Sequence, residues 1–400
     1  MTKEFTVPGG RSLLALAFAL AFSLAACGGD DPGFEIVEIP SGEPVVIGVS
    51  TMLEGELAST GTALRDAATL AGEGVTIAGH EVEFVATDDG CTVDGGGVAA
   101  EELVATDHLV GVVGPSCSDA VLGSQPVFEE AGITHISQLS TNIAMTDPED
   151  REPYPTFLRT AFNDRIQGQQ QAAFAERLLG ADSAFIVYEA FRYGGASDTF
   201  RTSFPGELVG DVGFEDEGEF PDIVSQITEA NPDLVYFAGF YPTGIPFVEA
   251  LRGGGYGGPV LAGDAMYDQK LIDGLGELAE QELYVTLPSP PLGGQEFEDF
   301  DSRYQEAYGA DPTTTPFSAE SFDAAQAIIL GLQADGVVEE TDGGIEVDLG
   351  TLNDAIREVA FDGASGPVRF DDSGDRVAEG LTPVTVFVVR DGAFVPVSES

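Results

Sequence analysis

Short apolar runs alternate with longer amphipathic segments from residue 45 to about residue 140. The predicted strands are residues 45–50, 80–89, 109–115 and 133–140. The predicted helices between them are residues 62–74, 97–107 and 118–132. Because these apolar runs are separated by helical segments and are largely uninterrupted by polar residues, both faces of the strands should be covered, which is typical of a parallel sheet in an α/β protein.

The same alternation repeats after residue 163. Here the predicted strands are residues 183–189, 212–216, 233–240 and 259–265, and the helices are residues 165–179, 196–203, 222–231 and 245–254. Later helices are expected at residues 296–308, 319–334 and 352–361, before a C-terminal hairpin with the turn pair Asp391-Gly392. The fold class is therefore α/β, with two doubly wound parallel-sheet lobes joined by a hinge. Ligands of such sheets bind at the carboxyl ends of the strands, so two facing lobes would hold a ligand between them.

The N-terminus has the features of an export signal. Lys3 and Arg11 precede an uncharged apolar segment, residues 12–26, which is too short to be a comfortable membrane span. This segment ends in Leu-Ala-Ala-Cys-Gly, which resembles the bacterial lipobox and makes Cys27 the lipidated first residue of the mature protein. An ordinary signal peptide followed by a chance cysteine is the alternative. We thus expect a signal peptide over residues 1–26 and a lipidated tether over residues 27–44.

The chain has three cysteines. If Cys27 carries the lipid, Cys91 and Cys117 remain, and an oxidising compartment lets them form a disulfide. Two free, buried thiols are the alternative.

The charge is strongly negative: 16 basic residues against 69 acidic ones give a net charge of −53. Such a surface repels nucleic acid and anionic lipid headgroups, so we expect no nucleic-acid partner and no membrane contact beyond the lipid anchor. The 43% hydrophobic content excludes a disordered acidic tail.

Catalytic and cofactor motifs are missing or misplaced. The sequence contains no Asp-x-Asp-x-Asp-Gly calcium loop, no Gly-x-Ser-x-Gly elbow and no His-Glu-x-x-His pair. The glycines at 253, 255 and 258 lie after a helix and before a strand, the wrong order for a dinucleotide site. We therefore expect a non-enzyme without cofactor or metal.

Two polar segments follow neighbouring strands. Residues 114–119 open a helix whose free backbone N–H groups attract an anion, and Ser118 adds a hydroxyl. Plain helix capping by Ser116 or Ser118 is the alternative. Ser140-Thr141-Asn142 follows the next strand, so hydroxyls from both segments are expected to converge on one carboxylate.

From about residue 45 to residue 366 the chain resembles the leucine/isoleucine/valine-binding family of ABC-transporter solute receptors, which have a type I periplasmic-binding fold. The matching pieces, in order, are "VVIGVSTMLEGELASTG", "DDGCTVDGG", "GVVGPSCSDAVLGSQPVFEEAGITHIS", "STNIAMT", "FLRTAFNDRIQGQ", "IVYEAFRYG" and "NPDLVYFAGFYP". The two lobes would comprise residues 45–162 with about 286–365, and residues 163–285 with about 366–400. Cys91 and Cys117 fall where such proteins often form a bridge.

The resemblance also implies roles for individual residues. Ser118 and Thr141 would bind a ligand carboxylate, with help from the backbone near Cys117 and Leu139. Asp264 would pair with the ligand ammonium. The cleft would also be lined by Thr60, Tyr193 and Tyr241.

Some positions depart from the family pattern or have another explanation. Asp264 stands where family members often carry Glu, so a water would intervene or the ligand would lie deeper; alternatively, Asp264 caps the next helix. Glu54 stands where a small hydroxyl residue is common, and would favour a cationic ligand if it entered the cleft instead of lying in a surface loop. Each tyrosine could simply pack in the core.

The implied function is capture of a branched-chain or similar aliphatic amino acid by an exported, monomeric, lipid-anchored protein on the outer face of the cytoplasmic membrane. By the family's behaviour, the closed form docks on ABC permease subunits. The alternatives are a sensor of the same fold, a binder of an amide, urea-type or cationic ligand, and a secreted hydrolase with an unusual carboxylate pair.

Overall fold

The computed structural model describes residues 34–147, 153–190 and 194–397. The strands are β1 Ile36–Pro40, β2 Val45–Thr51, β3 Thr76–Ile77, β4 His80–Asp88, β5 Leu109–Val113, β6 His135–Ser137, β7 Phe157–Arg159, β8 Ser183–Glu189, β9 Glu207–Phe214, β10 Leu234–Ala238, β11 Val260–Ala262, β12 Leu283–Leu287, β13 Val338–Thr341, β14 Gly344–Asp348, β15 Ala360–Gly363, β16 Gly366–Arg369, β17 Thr385–Arg390 and β18 Ala393–Pro396. The helices are α1 Ala58–Ala71, α2 Val93–Val104, α3 Ser118–Ala131, α4 Asp164–Arg177, α5 Gly194–Ser203, α6 Phe220–Ala230, α7 Tyr241–Gly253, α8 Gln269–Leu275, α9 Gln295–Tyr308, α10 Ser318–Leu332 and α11 Leu349–Arg357. The predicted signal peptide and the lipidation site Cys27 lie outside the described residues.

The first lobe is built on a six-stranded sheet with the order β3-β4-β2-β5-β6-β7, parallel except for β3. Every residue of β2 is buried, as expected of a central strand covered on both faces. The core of this lobe includes apolar side chains of α10 and α11, which come from far along the chain. We define the first lobe as this sheet with α1–α3, α9–α11, β1 and β13–β16.

The second lobe is built on a seven-stranded sheet with the order β18-β17-β12-β11-β10-β8-β9. Along β8, Phe185 and Val187 pack into one core cluster, whereas Ala184 and Ile186 pack into another. Alternate side chains point to opposite faces of a strand, so both faces of this sheet are covered. We define the second lobe as this sheet with α4–α8. The two wound sheets confirm the predicted fold class.

The N-terminal part of the chain corrects the predicted tether. Residues 36–40, expected to be part of the tether, form β1, which pairs antiparallel with β14 in a three-stranded sheet. Ile39 is only 1% exposed and packs in the core of the first lobe. Its burial stabilises a strand that the surrounding Gly, Pro and Glu residues disfavour. The prediction of a tether is therefore wrong for residues 36–40.

The C-terminal lobe boundary also differs from the prediction. We expected residues from about 366 onward in the second lobe, but β16 pairs with β15. The buried Arg376 donates to the backbone oxygens of Thr160 and Ser365, which lie in or beside the first lobe. A buried guanidinium needs such acceptors, and they hold this segment in place. The chain passes to the second sheet only between residues 376 and 385.

No helix among the described residues combines the length and apolar character needed to cross a bilayer.

Candidate functional site

A cleft of about 960 Å³, including its open mouth, lies between the carboxyl ends of the two sheets. The first lobe supplies loops after β2, β4, β5 and β6, and the second lobe supplies loops after β10 and β11. The lining residues are Met52, Leu57, Thr60, Cys91, Cys117, Ser118, Asp119, Leu139, Thr141, Asn142, Asp164, Phe240, Tyr241, Asp264, Ala265, Tyr267, Asp268, Pro316 and Phe317. Strand order thus brings residues more than 200 positions apart in sequence to one cavity.

Seven of the eight residues predicted to bind ligand line this cleft. They are Thr60, Cys117, Ser118, Leu139, Thr141, Tyr241 and Asp264. The eighth, Tyr193, lies outside the described residues. That these side chains bind a ligand stays a prediction.

The predicted disulfide is present between Cys91 and Cys117, whose Cα atoms are 5.2 Å apart. It joins the loop after β4 to the loop after β5, so it fixes two walls of the cleft relative to each other. The alternative of two free thiols is excluded. Gly114, with φ +106°, lies so close to β2 that an added Cβ would stand 2.1 Å from the Ser50 oxygen, which explains why this turn needs glycine.

The loops of the first lobe are tied together beneath the cleft by Asp89. Its carboxylate accepts from the backbone N–H groups of Cys91 (2.9 Å) and Ser116 (3.2 Å) and from the Ser50 hydroxyl (3.4 Å). Burial raises the pKa of Asp89 to about 6, although these hydrogen bonds oppose the shift. Sequence reasoning missed this residue, because nothing local distinguishes it from the many other acidic residues.

Ser118 joins two loops instead of capping its helix. The N-cap of α3 is Cys117, and no side chain caps this end of the helix. The Ser118 hydroxyl hydrogen-bonds the Ser140 hydroxyl (3.0 Å) and accepts from the backbone N–H of Asn142 (3.3 Å). The capping alternative is therefore wrong for Ser118, and the free N-terminus of α3 faces the cleft beside a hydroxyl, an arrangement suited to an anion.

Ser116 does not cap the helix either. Its hydroxyl donates to Thr51 (2.8 Å) and accepts from the amide of Gln138 (2.7 Å), both buried.

Asp264 lies on the opposite wall of the cleft, at the start of a 3₁₀ turn after β11. It is only 7% exposed, and its Oδ1 accepts from Gln167 Nε2 at 3.0 Å. Burial, and secondarily the nearby charge of Asp164, raise the pKa of Asp264 to about 7. The cap of the following helix α8 is Asp268, which accepts from the backbone N–H of Lys270 at 2.7 Å, so the alternative capping role of Asp264 is wrong.

Apolar and aromatic side chains form much of the remaining surface of the cleft. Phe240, Tyr267 and Phe317 border it together with Tyr241, which is 6% exposed and also packs in the core of the second lobe. Core packing and cleft lining are thus not exclusive for Tyr241. Glu54 is exposed and is not among the residues that line the cleft; it borders an adjoining pocket that shares Met52, Leu57, Cys91 and Phe240 with the cleft.

Lys270, the only lysine after residue 3, bridges the two lobes at the rim. Its Nζ donates to the Glu56 backbone oxygen (3.1 Å) and the Ser59 hydroxyl (3.0 Å) of the first lobe. On its own lobe it contacts the Tyr241 hydroxyl at 3.3 Å. We call this set of contacts the Lys270 latch.

We expect Lys270→Met to lower ligand affinity by about 3- to 10-fold, because the closed state loses hydrogen bonds between the lobes. The loss should appear as faster ligand release in stopped-flow measurements, whereas Lys270→Arg, which keeps donors at this position, should stay near the wild type. Equal release rates for the methionine variant and the wild type would contradict the latch.

Comparison with known proteins shows which family the chain belongs to. The family model described as periplasmic binding protein matches residues 44–393. The chain belongs to this family of periplasmic binding proteins. Membership agrees with the expectation that the protein is not an enzyme, and the described residues contain no group of three or more His, Cys, Asp or Glu side chains arranged to hold a metal ion.

Individual relatives are distant but span most of the chain. The Leu/Ile/Val-binding protein of Escherichia coli K12 is 24% identical over 92% of this chain and 93% of its own length. An amino acid binding protein of Pseudomonas aeruginosa is 28% identical over 58% of this chain, and the match spans 63% of that relative's length.

Solved structures show the same two-lobed, type I periplasmic-binding fold. The leucine-binding protein LivK of Thermotoga maritima has a TM-score of 0.77 at 25% identity, over 88% of this chain and 98% of that one. LivJ of Streptococcus pneumoniae, solved with isoleucine, has a TM-score of 0.75 at 22% identity and the same coverage.

Proposed function

We propose that this periplasmic binding protein is the substrate receptor of an ABC importer and captures a small amino acid, branched-chain or similarly aliphatic, by closure of its two lobes. The observation that carries the proposal is the pairing of opposite half-sites across one cleft. The N-terminus of α3 with Ser118 offers donors for a carboxylate, and Asp264 on the facing lobe offers an acceptor for an ammonium group. A zwitterion needs this combination.

The walls of the cleft support an aliphatic side chain. Met52, Leu57, Leu139 and Phe317 from the first lobe line the cleft together with Phe240 from the second lobe. Apolar walls exclude water and strengthen the polar contacts at the ends of the ligand. The names of the Escherichia coli relative, a Leu/Ile/Val-binding protein, and of the Thermotoga maritima structure, a leucine-binding protein, agree with this choice.

Isothermal titration calorimetry of the purified protein with the twenty amino acids tests the proposal. We expect saturable binding of leucine, isoleucine or valine and none of their des-amino analogues, because Asp264 would lose its partner. Binding of the des-amino acids with equal affinity, or of no amino acid, would contradict it.

We also propose export and lipid anchoring through Cys27, which place the receptor on the outer face of the membrane beside the permease. Cys27→Ser should move the protein from the membrane fraction to the soluble fraction of the cell. An unchanged distribution would rule out the lipid anchor while leaving the binding proposal intact.

A further inference from the structure

A second cavity, of about 880 Å³ including its open mouth, lies beside the segment in which the chain passes from β12 of the second lobe to α9 of the first. Residues 289–292 of this segment form part of its wall. The second lobe adds residues of β12, β17 and β18, and the first lobe adds residues of α9, of the loop before α10 and of the start of α10. We call this cavity the hinge pocket, because it lies between the lobes at a crossing of the chain.

The walls of the hinge pocket are aromatic on both lobes. On the second lobe, Tyr267 stacks on Phe394 with ring centroids 4.3 Å apart and packs against the edge of Phe387 at 4.8 Å. On the first lobe, Phe297 and Phe300 form a tilted pair with centroids 6.2 Å apart. Protein interiors leave few empty spaces of this size, so a cavity between such rings is suited to a small aromatic molecule.

Glu320, at the start of α10, is the only charged residue among the described residues that line the hinge pocket. It is 1% exposed, and its Oε1 accepts from the hydroxyl of Ser289 in the crossing segment. The carboxyl group therefore lies at the floor of the pocket, where the two lobes are connected.

The protein supplies no ion-pair partner for Glu320 among the described residues. Burial raises the pKa of Glu320 to about 7, and the charge of Arg376 opposes this shift. The hydrogen bonds of the Arg376 guanidinium, however, go to backbone oxygens and to one serine hydroxyl. A ligand that carries a cation would thus supply the charge that the buried carboxylate lacks.

The hinge pocket shares a wall with the cleft. Tyr267, Pro316 and Phe317 line both cavities. Phe317 is 4% exposed and has a φ of +63°, in the left-handed region that bulky residues rarely adopt, so the packing around it must hold it there. The Lys270 latch joins the lobes in this same structure. A molecule that fits the hinge pocket in this form therefore favours the closed state.

We propose that the hinge pocket is a second binding site, separate from the cleft, for a small aromatic amine whose occupancy strengthens ligand binding in the cleft. The ring packs between the aromatic walls of the two lobes, and the ammonium group pairs with Glu320. An aromatic surround also favours a cation at the faces of its rings. The site itself is independent of the proposed amino acid ligand, and only its coupling to the cleft rests on that proposed function.

Calorimetry with 2-phenylethylamine as the probe tests this site on the purified protein. In protein saturated with leucine, whose cleft is occupied, the amine should still bind at one site. Leucine should bind at least threefold more tightly when the amine is present, and leucine should raise the affinity for the amine by the same factor, because coupling between two sites is reciprocal.

Filling the hinge pocket should remove the amine site alone. Leu292 lines the pocket and is 42% exposed, so Leu292→Trp can place a large side chain there without disturbing the core. This variant should lose amine binding and bind leucine within twofold of the amine-free wild type. Leu178→Trp, which changes a leucine that is 46% exposed and lies outside the pocket, is the matched control and should bind both molecules like the wild type.

Glu320→Gln tests the role of the charge, because it keeps the shape of the side chain. It should weaken binding of 2-phenylethylamine at least tenfold. The uncharged analogue 2-phenylethanol should bind the wild type more weakly than the amine and should be unaffected by the substitution. Leucine binding by the variant reports that the protein is folded.

Competition between 2-phenylethylamine and leucine, or unchanged amine binding in Leu292→Trp or Glu320→Gln, would overturn the second site. Binding of both molecules with no effect on each other's affinity would overturn the coupling. A wild-type protein that binds the amine but no amino acid would contradict the proposed function and leave the hinge pocket supported, so the two failures are distinguishable.

Discussion

Replacing Asp264 by Asn should lower the affinity for an amino acid by about 30- to 4000-fold, since truncating or neutralising one partner of a buried charge pair costs about 2–5 kcal/mol. Asp264 is 7% exposed, so water cannot replace its carboxylate as the partner of the ligand ammonium. Calorimetry measures the loss. Asp273→Asn, an exposed acid of the adjacent α8, is the control and should bind normally.

The same variant should be more stable than the wild type without ligand at pH 8. The pKa of Asp264 rises from 3.8 to about 7 on folding, so its ionised form destabilises the folded state, and the wild type loses stability as the pH rises from about 4 to 7. The asparagine variant lacks this penalty. Weaker binding together with lower stability would indicate misfolding instead of a lost ligand contact.

Arg159→Met should destabilise the protein by about 3–5 kcal/mol, the usual cost of removing one partner of a buried ion pair. The Arg159 side chain is fully buried against Asp375 and holds the backbone oxygens of Ser140 and Asn142. Methionine fills much of the volume but satisfies none of these acceptors. Because Thr141 lies between the two held residues, ligand affinity should fall as well.

Urea denaturation measures this change in the free energy of unfolding. The matched control is Arg165→Met, which breaks an exposed pair with Asp147 and should cost no more than about 1 kcal/mol. Equal unfolding free energies for the two variants would show that the ion pair of Arg159 with Asp375 does not stabilise the loop from Ser140 to Asn142.

The regular elements of both sheets could be predicted from the sequence because their signals are local. The fully buried β2 lies in an uninterrupted apolar run, and α3 begins and ends within one residue of its predicted limits. The rule that ligands bind at the carboxyl ends of parallel strands also explains why Ser118, Thr141 and Asp264 reach one cleft.

The features that could not be predicted from the sequence depend on contacts with residues far away along the chain. β1 exists because it pairs with β14, about 300 residues later in the chain. Asp164 was missed because the preceding strand β7 is only three residues long, so the chain gave no sign that another strand end approached the cleft. The place of Arg376 depends in part on the backbone oxygen of Thr160, 216 positions away, which periodicity cannot reveal.

The most direct measurement for the whole account is a crystal structure of the protein grown with leucine. We predict electron density for one leucine molecule between the lobes, with its carboxylate at the start of α3 and its ammonium against Asp264. Density at another surface, or a leucine with its polar groups reversed, would contradict the account.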